Sequence, residues 1–174
     1  TFTTAQAATE DGTTISGQLT SSDADVLGTT ATYALDGPAI AGLSIDTDGS
    51  WTFDPADDAY QYLAEGEELE ITVNYTVTDD HDASADGSFT ITVTGSNDAP
   101  VATFAEAQTA TEDGTTISGQ LTSSDADVLG TTATYALDGT AIAGLSIDTD
   151  GSWSFDPADD AYQYLAEGEE LEII

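Results

Sequence analysis

The chain has 174 residues, 34 of them Asp or Glu and none Lys or Arg, for a formal net charge of −34. With no basic side chain to neutralise phosphates, a nucleic-acid partner is excluded, and so is electrostatic attachment to an anionic membrane surface. A hydrophobic content of 39% with 8% aromatics is too high for a solvated tail, so the chain is expected to fold. It has no cysteine, hence no disulfide, thiolate nucleophile or thiolate metal site. No apolar run approaches the ~20 residues that span a bilayer, and the first residues lack a signal-peptide pattern. The composition suits a soluble acidic protein of a non-reducing environment, whose natural counter-ion is a cation.

In chain order, the segment from Thr9 to Thr72 returns from Thr111 to Ile174 at an offset of 102 residues. Over those 64 positions only three differ: Pro38 becomes Thr140, Thr52 becomes Ser154, and Thr72 becomes Ile174. A period near 100 exceeds the ~20–50 residues of solenoid repeats, so each copy is a whole domain in a tandem array. Residues 1–100 are expected to form a complete first repeat. Residues 101–174 form a second, truncated repeat that lacks the counterparts of Val73 onward. Such a copy is expected to expose a sheet edge and half its core, completed by a donated strand or disordered in isolation.

Each copy reads as all-β. Tyr33 and Leu35 mark a short strand. Leu43-Ser44-Ile45 pairs with Trp51-Thr52-Phe53 across the Asp46-Thr47-Asp48-Gly49 turn. Pro55 to Leu63 suggests a helical turn that points Tyr60 and Leu63 inward. Leu69, Ile71, Val73, Tyr75 and Val77 alternate with polar residues, as a half-buried strand requires, and Phe89, Ile91 and Val93 do the same. Short Thr-rich strands with Gly and Asp turns over ~100 residues point to an antiparallel Greek-key sandwich. Asn97-Asp98-Ala99-Pro100 ends the last strand, because proline cannot continue a ladder.

Catalysis finds little support. His81, the sole histidine, sits in the polar turn Asp79-Asp80-His81-Asp82 without an activated Ser or Cys in view. The chain is therefore expected not to be an enzyme. Trp51 and Phe53 alternate inward and read as core rather than as a sugar-stacking platform. The Asp46-Thr47-Asp48-Gly49 segment reads as a hairpin turn, since the later ligands of an EF-hand loop are absent.

The acidic clusters suit calcium, which takes six to eight oxygen ligands. Asp23 and Asp25, repeated as Asp125 and Asp127, place two carboxylates one residue apart. Two such charges ~4 Å apart repel by about 4 kcal/mol at an effective dielectric near 20, which a divalent ion relieves. Their order is Glu10-Asp11-Gly12, the Asp-x-Asp, Glu65-Gly66-Glu67, Asp79, then Asn97-Asp98-Ala99-Pro100. That order resembles the cadherin calcium layout. Asp48-Gly49-Ser50-Trp51-Thr52-Phe53, Leu63-Ala64-Glu65-Gly66-Glu67 and Gly95 to Pro100 resemble the VCBS and cadherin-like repeats of bacterial RTX giant adhesins. The chain departs from the cadherin pattern in two places. Its linker is one Asn short of Asn-Asp-Asn, and Glu65-Gly66-Glu67 lacks the first Asp of the family triplet.

The resemblance implies tandem cadherin-like β-sandwiches joined by short calcium-binding linkers, with calcium as the only cofactor. It implies one junction site formed by Glu10, Glu65, Glu67, Asn97, Asp98, Asp125 and Asp127, and a second at the far end of the first copy using Asp23, Asp25 and Asp79. It further implies type I secretion to the bacterial surface, with rigid repeats separating an anchor from an adhesive tip. The partners would be neighbouring repeats of the same chain and, through other domains, a cell-surface or biofilm target, with no nucleic acid and no membrane insertion. A glycan- or ligand-binding module and a filament subunit completed by donated strands remain the alternatives.

Overall fold

A computed structural model describes residues 5–24, 31–104, 106–129 and 133–174. Two compact units divide the chain: residues up to Ala99 together with 126–129 make the first, and the remaining described residues the second. Every regular element among the described residues is a strand.

In the first unit the strands are β1 (Gln6–Thr9), β2 (Ile15–Gln18), β3 (Thr32–Leu35), β4 (Leu43–Ile45), β5 (Ser50–Phe53), β6 (Glu68–Thr78) and β7 (Ser84–Thr94). They form two sheets, ordered β1-β7-β6-β3 and β2-β5-β4. The long hairpin β6–β7 is antiparallel from Glu68↔Thr94 to Thr78↔Ser84, while β1 joins β7 in parallel. Alternation of β-branched and polar residues explains the hairpin: Val73, Tyr75, Phe89, Ile91 and Val93 are buried, and Glu70, Thr72, Asn74 and Ser88 are exposed. The ladder reaches five residues upstream of Phe89: Ser84 to Ser88 carry no apolar stripe, yet they pair with β6 through their backbone.

The two sheets meet through aromatic rings. Trp51 of β5 lies 5.1 Å from Phe89 of β7, across the two sheets, while within the larger sheet Tyr33 of β3 lies 6.2 Å from Tyr75 of β6. Trp51, Phe53, Leu19, Leu63, Val73, Ile91 and Val93 are buried to 1% exposure or less, each contributing about 1.5–3 kcal/mol of burial. From Pro55 to Leu63 there is no helix. Two four-residue turns, Tyr60 N–H to Asp57 O and Leu63 N–H to Tyr60 O, do the same work. They place Tyr60 against Phe53 at 5.4 Å, with its hydroxyl donating to Ala41 O at 2.7 Å.

The second unit contains β8 (Val101–Ala102), β9 (Ile117–Gln120), β10 (Ser123–Ser124), β11 (Leu145–Ile147) and β12 (Ser152–Phe155). The sheet β11-β12-β9 repeats β4-β5-β2 residue for residue, with Trp153↔Gly119 matching Trp51↔Gly17. Phe104 packs edge-on against Trp153 at 6.3 Å, as Phe89 covers Trp51 in the first unit. The described residues of this unit contain no counterpart of the β1-β7-β6-β3 sheet.

Candidate metal centre

β1 ends at Thr9, and the next residue carries the centre. The Glu10 N–H donates to Thr94 O at 2.9 Å, which extends the β1–β7 pairing by one rung. Asp11 then takes a left-handed conformation, φ 57°, and the Gly12 N–H closes a turn on Thr9 O at 2.9 Å. This geometry turns the Glu10 side chain inward, where it is only 2% exposed.

Glu10 Oε2 accepts the Ser96 N–H at 3.0 Å, whereas Oε1 is buried without a hydrogen-bond partner. A buried carboxylate with one oxygen unsatisfied is costly unless something else compensates it. Burial is the main cause that pushes the Glu10 carboxyl above its ordinary range. The Ser96 N–H opposes the shift, and the negative charges of Asp98, Asp11 and Asp127 add to it.

The neighbouring loop is drawn in by Gly95. Its N–H donates to Glu67 O at 2.7 Å, and its carbonyl accepts the Gly66 N–H at 3.1 Å. A Cβ at Gly95 would lie 2.2 Å from Ala64 O and 2.6 Å from Leu63 O, so only glycine allows the two backbones this close. Within the first unit Asp127 is 5% exposed, its Oδ2 accepting the Asp98 N–H at 3.1 Å, while the Val128 N–H reaches Tyr62 O at 3.2 Å. Glu10, Asp98 and Asp127 therefore gather in one region of a chain that has no Lys or Arg to balance them.

The other residues expected to bind calcium are placed differently. Glu65 and Asn97 are exposed, and the Asn97 side-chain amide donates to Asp98 O at 2.7 Å. Glu67 is half-buried, and its Oε2 accepts the Ala64 N–H at 3.3 Å. Asp125 is half-buried in the second unit. Asp23 is exposed, and Asp25 lies outside the described residues. Asp79 closes the β6–β7 turn, its Oδ1 accepting the His81 N–H at 2.8 Å and the Ala83 N–H at 2.9 Å. Asp80 Oδ1 lies 3.0 Å from His81 Nδ1 on a largely exposed surface. Among the described residues, Asp79, Asp80 and His81 are the one group of three whose ligand atoms all lie within 4.8 Å. The Glu10 group is more open than that.

Two features escape residue-type reasoning. The Ser96 N–H is a backbone donor, invisible in side-chain motifs. Asp11 acts on Glu10 through its charge, and the Glu-Asp-Gly motif is its only trace in the sequence. The Asp46–Ser50 turn is self-contained: Asp48 Oδ1 accepts the Ser50 N–H at 2.9 Å and the Ser50 hydroxyl at 2.6 Å. The Ser50 hydroxyl holds the Asp48 carboxyl below its ordinary range. Asp150 and Ser152 repeat the arrangement.

Comparison with known proteins fits this architecture. A family model described as a bacterial Ig domain matches residues 1–92 and again 97–168. No curated protein matches the chain. Among solved structures the chain is similar to human protocadherin-24 EC1-2, at 16% identity and a TM-score of 0.54, covering 90% of this chain and 75% of that one. It is also similar to protocadherin gamma C5 EC1-3, at 17% identity and a TM-score of 0.50, covering 92% of this chain and 57% of the other. A third similarity, to the protocadherin GammaB4 extracellular domain, has 12% identity and a TM-score of 0.46; it covers 87% of this chain, which spans 27% of that one. At these identities the likeness is one of fold: cadherin-like, Ig-like β-sandwich repeats. No helix among the described residues is long and apolar enough to cross a membrane.

Proposed function

Because the chain belongs to the bacterial Ig domain family, we propose that it supplies calcium-stabilised extender repeats to a bacterial cell-surface adhesin. Its work would be mechanical, adding rigid length between a cell anchor and an adhesive tip, with no catalysis of its own. The single observation that carries this reading is the Glu10 carboxylate, buried with one oxygen unsatisfied and further acidic side chains acting on it, in a chain without a basic residue. Protonation or an external cation can compensate it, and a cation does so while the carboxylate stays ionised. Hard carboxylate and carbonyl oxygens suit calcium better than a soft metal.

Glu10, Asp98 and Asp127 would hold the ion, with Glu67, Glu65 and Asn97 available to complete the oxygen shell. When bound, calcium supplies positive charge that offsets the mutual repulsion of these carboxylates. The chain's own residues do the rest. Gly95 and Ser96 hold the linker against Glu10, and Asp127 fastens the 126–129 segment through the Asp98 N–H. Since the same contacts order the linker, ion binding and folding would share one free energy. An extracellular site, secretion by a type I route and membership of the VCBS-like repeats of RTX adhesins follow from the sequence motifs that resemble those proteins. Partners would be adjacent repeats, with any cell-surface or biofilm target reached through other domains. Burial of Trp51 and Phe53 weighs against a glycan platform on this face.

Calorimetric titration of the 174-residue protein with calcium, paired with thermal melting in calcium and in chelator, tests the reading. The expected result is a site with Kd of about 10⁻⁴–10⁻³ M and a higher melting temperature in calcium. Glu10→Gln and Asp127→Ala should each weaken binding. Equal melting temperatures in calcium and chelator would overturn the proposal.

A further inference from the structure

The first and last strands of the first unit lie side by side and run in the same direction. β1 pairs with β7 in the register Gln6↔Ile91, Ala7↔Thr92, Ala8↔Val93 and Thr9↔Thr94. The ladder is then closed twice by one residue: the Glu10 N–H donates to Thr94 O at 2.9 Å, and Glu10 Oε2 accepts the Ser96 N–H at 3.0 Å. Along its other edge β7 is held by the eleven-residue antiparallel pairing with β6.

Tension carried along the chain through this unit enters at the N-terminal end of β1 and leaves at the C-terminal end of β7. In a parallel pair these points lie at opposite ends of the shared ladder. The load then pulls along the strands, and the evenly spaced rungs share it. Were the loaded points at the same end, the rungs would break in succession, each bearing the load alone. We propose that the parallel β1–β7 pair, locked by Glu10 on Thr94 and Ser96, is the tension-bearing clamp of this unit, and that β2 to β6 carry no load until it opens. The extender reading provides the source of tension, whereas the clamp itself follows from strand direction and register and does not require a bound ion.

The absence of cysteine lets a pair of introduced cysteines define the direction of pull in the full 174-residue chain. One variant carries Ala5→Cys with Ala99→Cys, and the other Ala5→Cys with His81→Cys; all three positions are exposed. Single-molecule pulling between 5 and 99 shears the β1–β7 ladder, and opening the unit releases about 300 Å of chain. Pulling between 5 and 81 drags β1 back over itself and peels it. In chelator, the 5–99 rupture force is expected to exceed the 5–81 force severalfold. Ser96→Pro, which removes the donor to Glu10, is expected to lower the 5–99 force and leave the 5–81 force where it was. Equal forces in the two directions would overturn the clamp, whatever calcium does. A directional difference of the same size with and without calcium supports the clamp and counts against the metal reading.

Discussion

Glu10 links the acidity of the solution to the stability of the first unit. Burial, with Asp98, Asp11 and Asp127 adding to it, raises its carboxyl above the ordinary value of 4.5, so over this window the folded chain holds a proton that the unfolded chain has released. In chelator, stability is therefore greatest below the window and is lost as the pH rises through the raised value. Asp48 and Asp150 act with the opposite sign, because their carboxyls are lowered from 3.8 and their contribution is lost only as the pH falls below that value. Both are fully exposed and count for little. Thermal melting of the metal-free protein should show a lower melting temperature at pH 7 than at pH 5. Self-repulsion at a net charge of −34 adds to the slope, so the diagnostic measurement is Glu10→Gln, which should flatten it. Added calcium should oppose the slope, since it favours the ionised carboxylate. A wild-type slope unchanged by Glu10→Gln would refute this account of the residue.

At the scale of elements, the repeated strands work through paired shapes. Gly17 on β2 faces Trp51 on β5, and a Cβ at Gly17 would lie 2.6 Å from the indole ring; Gly119 and Trp153 repeat the fit at 2.7 Å. Gly17→Ala should cost the first unit about 1–3 kcal/mol through overpacking, with a change in Trp51 fluorescence. Gly119→Ala should disturb the Trp153 signal instead. Fluorescence-detected urea melts of single-Trp variants separate the two. Such elements were legible in the sequence wherever apolar residues alternate: the β4–β5 hairpin, the Leu69–Val77 strand and the inward Tyr60 and Leu63 all follow from the pattern. The parallel seat of β1 beside β7 was not, because Gln6-Ala7-Ala8-Thr9 has too little apolar contrast to show a period. The centre was legible to a lesser degree. Glu10, Asp98 and Asp127 stand out as acidic residues at ordered spacings, but a sequence does not distinguish buried Glu10 from exposed Glu65. That difference arises from the Ser96 N–H, which the linker donates to Glu10, while Glu65 stays on the exposed tip of its loop.

On the scale of the whole polypeptide, near-identical sequences rest in unequal surroundings. Leu35, Leu69 and Ile71 pack against the core of the first unit, while their counterparts Leu137, Leu171 and Ile173 are 38%, 45% and 43% exposed. Among the described residues the large buried hydrophobic side chains of the second unit are Trp153 and Tyr162, whereas twelve hydrophobic residues form the core cluster of the first. Burial scales with apolar area removed from water, and leaving these three side chains half solvated forgoes a few kcal/mol, on the order of 1 each. The 174-residue polypeptide should therefore unfold in two steps rather than one. The first step, at lower temperature or denaturant concentration, should report on Trp153, and the second on Trp51. Trp51→Phe and Trp153→Phe variants assign the steps by fluorescence, and hydrogen exchange should find the strongest protection in the β6–β7 ladder. Exposed apolar surface on the second unit should also bind a hydrophobic dye before the first transition begins. Coincident transitions from both tryptophans, together with equal exchange protection in β5 and β12, would show that the two units are equally stable despite their unequal cores.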